Sequence, residues 1–118
     1  VIAPTVTEYM GRLTPEISNA ALLAHHYIRY LGDLSGGQAI AKLVARHYGI
    51  TADGFNFYNF EKIGDPVFYK KRYRDLLNLV QFTEEEKSDC LEEVSKLYLL
   101  SRKIFMDLGK LHLARESA

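Results

Sequence analysis

Two polar residues and two glycines are interleaved at one spacing in a short stretch of this chain. In the run from Leu22 to Gln38, LLAHHYIRYLGDLSGGQ, Arg29 and Asp33 are four residues apart, and so are Gly32 and Gly36. On a helix each pair stacks on one side, so a guanidinium and a carboxylate lie beside a strip of backbone that carries no side chains. Each glycine costs about 1 kcal/mol relative to alanine inside a helix, and Gly37 adds a third. That cost implies either a bend or a face that something approaches closely. A flat ligand lying against bare backbone, with a cation and an anion at its edge, suits the second case. The four histidines offer less. His25 and His26 are adjacent and project about 100° apart, so they cannot converge on one metal ion. His47 is explained by the dipole of a helix C-terminus and His112 by an exposed tail. No residues are assigned to a metal site.

Helical periodicity predicts the elements that position these groups. Thr5, Val6, Thr7 and Glu8 spell a capping box, followed by an apolar face of Val6, Tyr9, Met10 and Leu13. Thr14 and Pro15 then read as cap and first residue of a second helix. This helix runs to about Tyr48 and stops at Gly49, with Leu23, His26, Tyr27, Tyr30, Leu31 and Leu34 on its core face. A straight helix of that length would measure roughly 50 Å, so a kink at the glycines is expected. Residues 49 to 65 show no helical pattern and read as a loop held by Phe55, Phe57, Tyr58 and Phe60. Asp65 and Pro66 open a third long segment with Tyr69, Tyr73, Leu76, Leu77 and Val80 inward. Lys70 and Arg74 share one of its faces, whereas Lys71 and Arg72 point elsewhere and read as solvated. Thr83 to Glu86 make another capping box, and the last helix places Leu91, Val94, Leu97, Tyr98, Ser101, Phe105 and Leu108 on one stripe. No strand signal and no repeat competes. The fold class is all-α.

Composition narrows the function. At 118 residues and 47% apolar content the chain makes one helical domain, residues 1–118, with material for a core. A formal net charge of zero argues against a dedicated nucleic-acid binder. The longest apolar run, Ala20 to Ala24, is far too short to span a membrane. One cysteine, Cys90, cannot form an internal disulfide, which makes a reducing, cytoplasmic setting the default.

The string YIRYLGDLSGGQ resembles the signature of heme oxygenases, the enzymes that open heme to biliverdin, iron and carbon monoxide. His25, Tyr27, Arg29, Gly32, Asp33, Gly36 and Gly37 stand where the distal helix of that family has the same residue types. GFNFYNFEKI and YKKRYRDLLN are similar to the family's segments C-terminal to that helix. The likeness covers nearly the whole chain but only the C-terminal part of the family, so the expected fold is a partial heme-oxygenase-like bundle. The resemblance implies heme as substrate and cofactor, dioxygen, and an electron-donating reductase as partner. It gives Asp33 the ordering of distal waters, through which a carboxylate can supply the proton that ring opening needs. It puts Arg29 in the same hydrogen-bond network, although an i,i+4 ion pair with Asp33 would serve as well. The glycines would bring the helix backbone against heme. Tyr27 would touch a heme carboxylate, and Lys70, Tyr73 and Arg74 would meet the propionates. Ser101 falls where family members often carry an asparagine of the water network.

Leu34 to Gln38 also spell LSGGQ, the signature pentapeptide of ABC-transporter ATPases. That reading fails on context, because no GxxxxGK[ST] loop and no Walker-type aspartate accompany it. In the heme oxygenase family the iron-ligating histidine comes from a helix N-terminal to everything in this chain, and His25 matches a structural histidine. The expectation is therefore a chain that supplies the distal wall, with N-terminal helices of the same fold supplying the iron ligand. A non-catalytic helical module of the same fold, binding heme or a partner, is the alternative.

Overall fold

Proline and short polar side chains set most of the helix starts in this chain. The computed structural model describes residues 2–117, with Ala52 and Phe55 described through backbone alone. The ring of Phe55, expected to help hold the loop, thus lies outside the described residues. Every regular element among them is helical: α1 (Pro4–Met10), α2 (Asn19–Leu34), α3 (Gly36–Tyr48), α4 (Pro66–Leu79) and α5 (Glu84–Ser117). Asp65 caps α4 as predicted, its Oδ1 accepting the Val67 N–H at 3.0 Å with Pro66 at the first helical position. The box at α5 also forms, with the Glu86 N–H donating to Thr83 Oγ1 at 3.1 Å and the Thr83 N–H to Glu86 Oε1 at 3.3 Å.

The other two predicted starts are displaced. Pro4 takes the first position of α1 after Ala3, so Thr5 falls inside the helix and its expected capping box with Glu8 does not form. Thr5 instead donates its hydroxyl and its N–H, the latter at 3.0 Å, to Asp107 Oδ2 on α5. These bonds hold the Asp107 carboxyl below the ordinary aspartate range. The helix expected from Pro15 begins at Asn19, after turns, where Ser18 Oγ accepts the Ala21 N–H at 3.1 Å. Its far end agrees with the sequence: Gly49 adopts φ +61° and donates to the Ala45 carbonyl at 3.0 Å. Between these ends the helix does not merely kink. It is interrupted at Ser35, between Gly32 and Gly36. The loop of residues 49 to 65 is tighter than expected and holds two 3₁₀ turns, Ala52–Tyr58 and Glu61–Ile63.

The chain divides into two compact units, one made of residues up to His25 together with Phe82 onward, the other of His26–Gln81. In the first, α1, the opening turns of α2 and α5 bury Ala3, Thr5, Ala20, Ala24, His25, Glu93, Leu97 and Leu100. The stripe predicted for α5 is therefore corrected. Leu97 is fully buried and Val94 and Ser101 half-buried, whereas Leu91, Tyr98, Phe105 and Leu108 are exposed. The inward register is Cys90, Glu93, Leu97, Leu100, Ile104 and Asp107, alternating three and four residues apart, and it tolerates acids where α1 and α2 supply donors. His112 is helical rather than part of a tail, its Nε2 3.1 Å from Glu116.

Glu93 is the charged member of that core. Arg12 grips it through both oxygens, Nε to Oε1 and Nη2 to Oε2 at 2.7 Å each. The His25 Nε2–H donates to Oε1 at 2.9 Å, while the His25 ring meets the edge of Tyr9 at 5.8 Å. The Arg12 hydrogen bond is the main cause that lowers the Glu93 carboxyl below its ordinary value, overcoming its desolvation, and the His25 bond adds to it. Because Arg12 stays 32% exposed on its side chain, its ion can re-solvate if the acid is lost. Glu93→Ala should accordingly cost about 3 kcal/mol, the low end for breaking a buried pair, read as a lowered urea midpoint. In the wild type the Glu93 contribution is complete above the ordinary glutamate value of 4.5 and disappears as pH falls through the lowered folded value. Acid titration of stability should show that extra loss, and Glu93→Gln should lack it.

Candidate functional site

The unit His26–Gln81 holds the interrupted helix, and its geometry starts from backbone hydrogen bonds. Ser35 has φ −103° and ψ −94°, off the helical values near −63° and −42°, so the last carbonyls of α2 lose helical partners. Gln38 replaces one of those partners. Its amide nitrogen donates both hydrogens, one to the Asp33 carbonyl and one to the Tyr58 carbonyl, each at 2.9 Å. Tyr58 thereby lies over the break, and its ring covers Gly37. A Cβ on this buried glycine would meet Tyr58 Cδ1 and Cε1 at 3.1 Å, so a side chain there needs the Tyr58 ring to give way by a few tenths of an ångström.

Gly32 and Gly36 differ from Gly37 in kind. Both are exposed, and a Cβ built on either meets nothing within 4 Å. No contact among the described residues requires them to be glycine, although each weakens its helix by about 1 kcal/mol. They leave an open strip of backbone at the break, which a flat molecule could cover. Asp33 sits beside it, half-buried, with its Cβ 3.5 Å from the ideal Cβ of Gly37. Burial pushes its carboxyl above the ordinary aspartate range, and the charge of Arg29 pulls partly against this. Among the described residues no Arg29–Asp33 ion pair forms, which removes the i,i+4 salt bridge as the reason for their spacing; Arg29 is exposed.

Aromatic rings join the second half of α2 to α4. Tyr30 packs on Tyr69 at 6.3 Å and edge-on to Phe60 at 5.7 Å, and Tyr27 packs on Tyr73 at 6.2 Å. Phe57, exposed, meets Tyr58 edge-on. His26, expected on the core face, is exposed; it stacks on Tyr30 at 4.4 Å and its Nδ1 lies 2.7 Å from the Tyr73 hydroxyl. On α4, Leu76 and Val80 are exposed rather than inward, leaving Tyr69, Tyr73 and Leu77 as its half-buried face. These contacts bring α4 to the helix break: Lys70 Nζ donates to Ser35 Oγ at 3.3 Å. Arg74, one turn on, is exposed, and Lys71 pairs with Asp75 at 2.8 Å in the solvated manner expected of it.

The unit therefore assembles nine of the ten residues singled out from sequence: Tyr27, Arg29, Gly32, Asp33, Gly36, Gly37, Lys70, Tyr73 and Arg74. Ser101 belongs to the other unit, half-buried on α5 and flanked by exposed Tyr98 and Phe105. Sequence reasoning missed Gln38, Ser35 and His26. The glutamine was legible only as part of a pentapeptide, since its role exists only once the helix breaks. A planar ring bearing two carboxylates fits what is present: bare backbone for the ring, Asp33 beside it, and Lys70 and Arg74 for the carboxylates. Among the described residues no group of histidine, cysteine, aspartate or glutamate side chains could hold a metal ion.

Comparison with known proteins gives the family. The model of the heme oxygenase family matches residues 2–107. The heme oxygenase of Takifugu rubripes is 33% identical over 94% of this chain and 42% of its own length. Heme oxygenase 1 of Gallus gallus is 36% identical over 86% of the chain and 34% of its own length, and the heme oxygenase of Porphyra purpurea is 34% identical over 85% and 41%. The chain thus spans between 34% and 42% of the length of these curated relatives. With the family model matching residues 2–107 of its 118, the chain belongs to the heme oxygenase family.

Proposed function

We propose that the protein containing this chain opens heme to biliverdin, ferrous iron and carbon monoxide, using dioxygen and electrons from an external reductase. The observation that carries this reading is the pair Gly32 and Gly36, exposed glycines without a packing reason, next to a half-buried Asp33. The open strip accepts the face of the ring. A carboxyl whose affinity for protons is raised by burial can hold and release a proton, through ordered water, where dioxygen is reduced. Arg29 lies one turn away, and its charge pulls the carboxyl partly back toward the ordinary aspartate range. Lys70, Tyr73, Arg74 and Tyr27 orient the substrate by its two carboxylates. Heme bound here supplies the iron at which dioxygen reacts. As the family resemblance implies, this reading takes the iron ligand from outside these residues; His25 is bonded to Glu93 and His26 to Tyr73. Among the described residues no helix is long and apolar enough to cross a membrane, and a cytoplasmic setting is part of the proposal.

In the complete protein, Asp33→Ala should still bind heme yet yield little biliverdin with a supplied reductant; undiminished yield would remove Asp33 from proton delivery, and a wild type equally inactive would favour the non-catalytic alternative. Gly32→Ala or Gly36→Ala should stabilise the fold by up to about 1 kcal/mol while weakening heme binding, whereas Gly37→Ala should destabilise by pushing Tyr58 aside. Thermal melts and heme titrations of the three variants read these opposed effects. Lys70→Glu with Arg74→Glu should shift the mixture of biliverdin isomers, detected by chromatography, because like charges would then oppose the substrate carboxylates.

A further inference from the structure

We propose that the outer groove between α1 and α5 docks an acidic amphipathic helix of a partner protein. The inference stands apart from the heme-opening reading, because this groove and the glycine strip belong to different units of the chain. It begins with a repeat along α5. Lys96, Lys103 and Lys110 recur every seven residues, and so do Leu99, Met106 and Leu113, three residues after each lysine. At 3.6 residues per turn these six make two adjoining rows on one side of the helix, over about 26 Å and roughly opposite Ser101.

None of the six belongs to the inward register of α5. The lysines are exposed, and Leu99, Met106 and Leu113 keep 61%, 53% and 63% of their surface in solvent. A lone exposed leucine is ordinary, but three apolar side chains at heptad spacing beside a second heptad row form the kind of seam that one helix presents to another. Helix α1 supplies the second wall. It runs antiparallel to α5, since Thr5 near its start bonds Asp107 and Arg12 just past its end bonds Glu93. The groove of about 460 Å³ between them is lined by Leu99, Leu100 and Met106 together with Lys96, Arg102 and Lys103.

Charge decides the occupant. Arg12 is taken by Glu93 and Asp107 by Thr5, while Glu8 on α1 stands 4.0 Å from Lys103. Among the described residues Lys96, Arg102 and Lys110 make no ion pair, so the groove keeps an excess of positive charge although the chain as a whole is neutral. Such a surface repels a second copy of itself. It accepts a helix whose carboxylates face the lysine row while its apolar residues cover Leu99, Met106 and Leu113.

The probe is a fluorescein-labelled peptide of three heptads with glutamate and leucine at its two inward positions, titrated by anisotropy into the complete protein; its counterpart has lysine for each glutamate. Wild type should bind the acidic peptide with a Kd below about 100 µM and the basic one at least about tenfold more weakly, and added salt should weaken the first. Lys96→Glu/Lys103→Glu/Lys110→Glu should reverse the preference, a gain of binding that a variant failing to fold cannot produce. Leu99→Asn/Met106→Asn should weaken the acidic peptide about tenfold or more, as loss of two covered apolar side chains would, with a melting curve like that of wild type. Equal binding of both peptides, no binding of either, or variants that bind the acidic peptide as wild type does would each overturn the proposal. So would a change of oligomeric state in the lysine variant on gel filtration, which would make a second copy the occupant.

Discussion

The interruption of one helix between two exposed glycines is the constraint on which the site depends. A continuous helix through residues 32 to 37 would satisfy its own carbonyls and leave Gln38 without a task. With Ser35 out of helical geometry, a carbonyl must find another donor, and Gln38 answers by joining Asp33 to Tyr58. That junction brings the 3₁₀ turn over Gly37, ties Lys70 to Ser35, and leaves Gly32 and Gly36 facing outward with Asp33 half-buried beside them. Bare backbone, a protonatable carboxyl and a cationic edge are thus consequences of one local break.

Length does not cause that break. A straight helix from Pro15 to Tyr48 would be about 50 Å long, yet α5 continues unbroken for 34 residues with Gly109 inside it. A lone glycine in a helix costs stability without ending it. At the end of α2, Ser35 and the buried Gly37 meet a glutamine and a tyrosine able to hold the alternative.

Much of the fold was legible because its signals are local. The caps at Asp65 and Thr83 and the left-handed Gly49 depend on a few neighbouring residues, and all three stand where sequence places them. The misread starts at Thr5 and Pro15 and the misplaced stripe of α5 have a different origin. Thr5 is claimed by Asp107, one hundred and two residues away, and Glu93 is brought inward by Arg12 and His25, so an acid occupies a position that hydrophobic periodicity passes over. For the site, residue types at four-residue spacing located the glycine strip and the cations, while Gln38 and His26 were invisible until their partners from other elements were in place. Buried ion pairs and side-chain bridges are long-range facts, and a single sequence carries little trace of them.

The central claim is that the open glycine strip lies against the ring of the substrate. Paramagnetic broadening of glycine amide signals measures this directly in the complete protein labelled with ¹⁵N-glycine and titrated with hemin. The account predicts that the Gly32 and Gly36 signals vanish as hemin binds, while Gly49, at the far end of α3 and about 20 Å along it from Gly36, stays sharp. Gly32 and Gly36 signals that persist at saturating hemin, or a Gly49 signal lost before them, would contradict it.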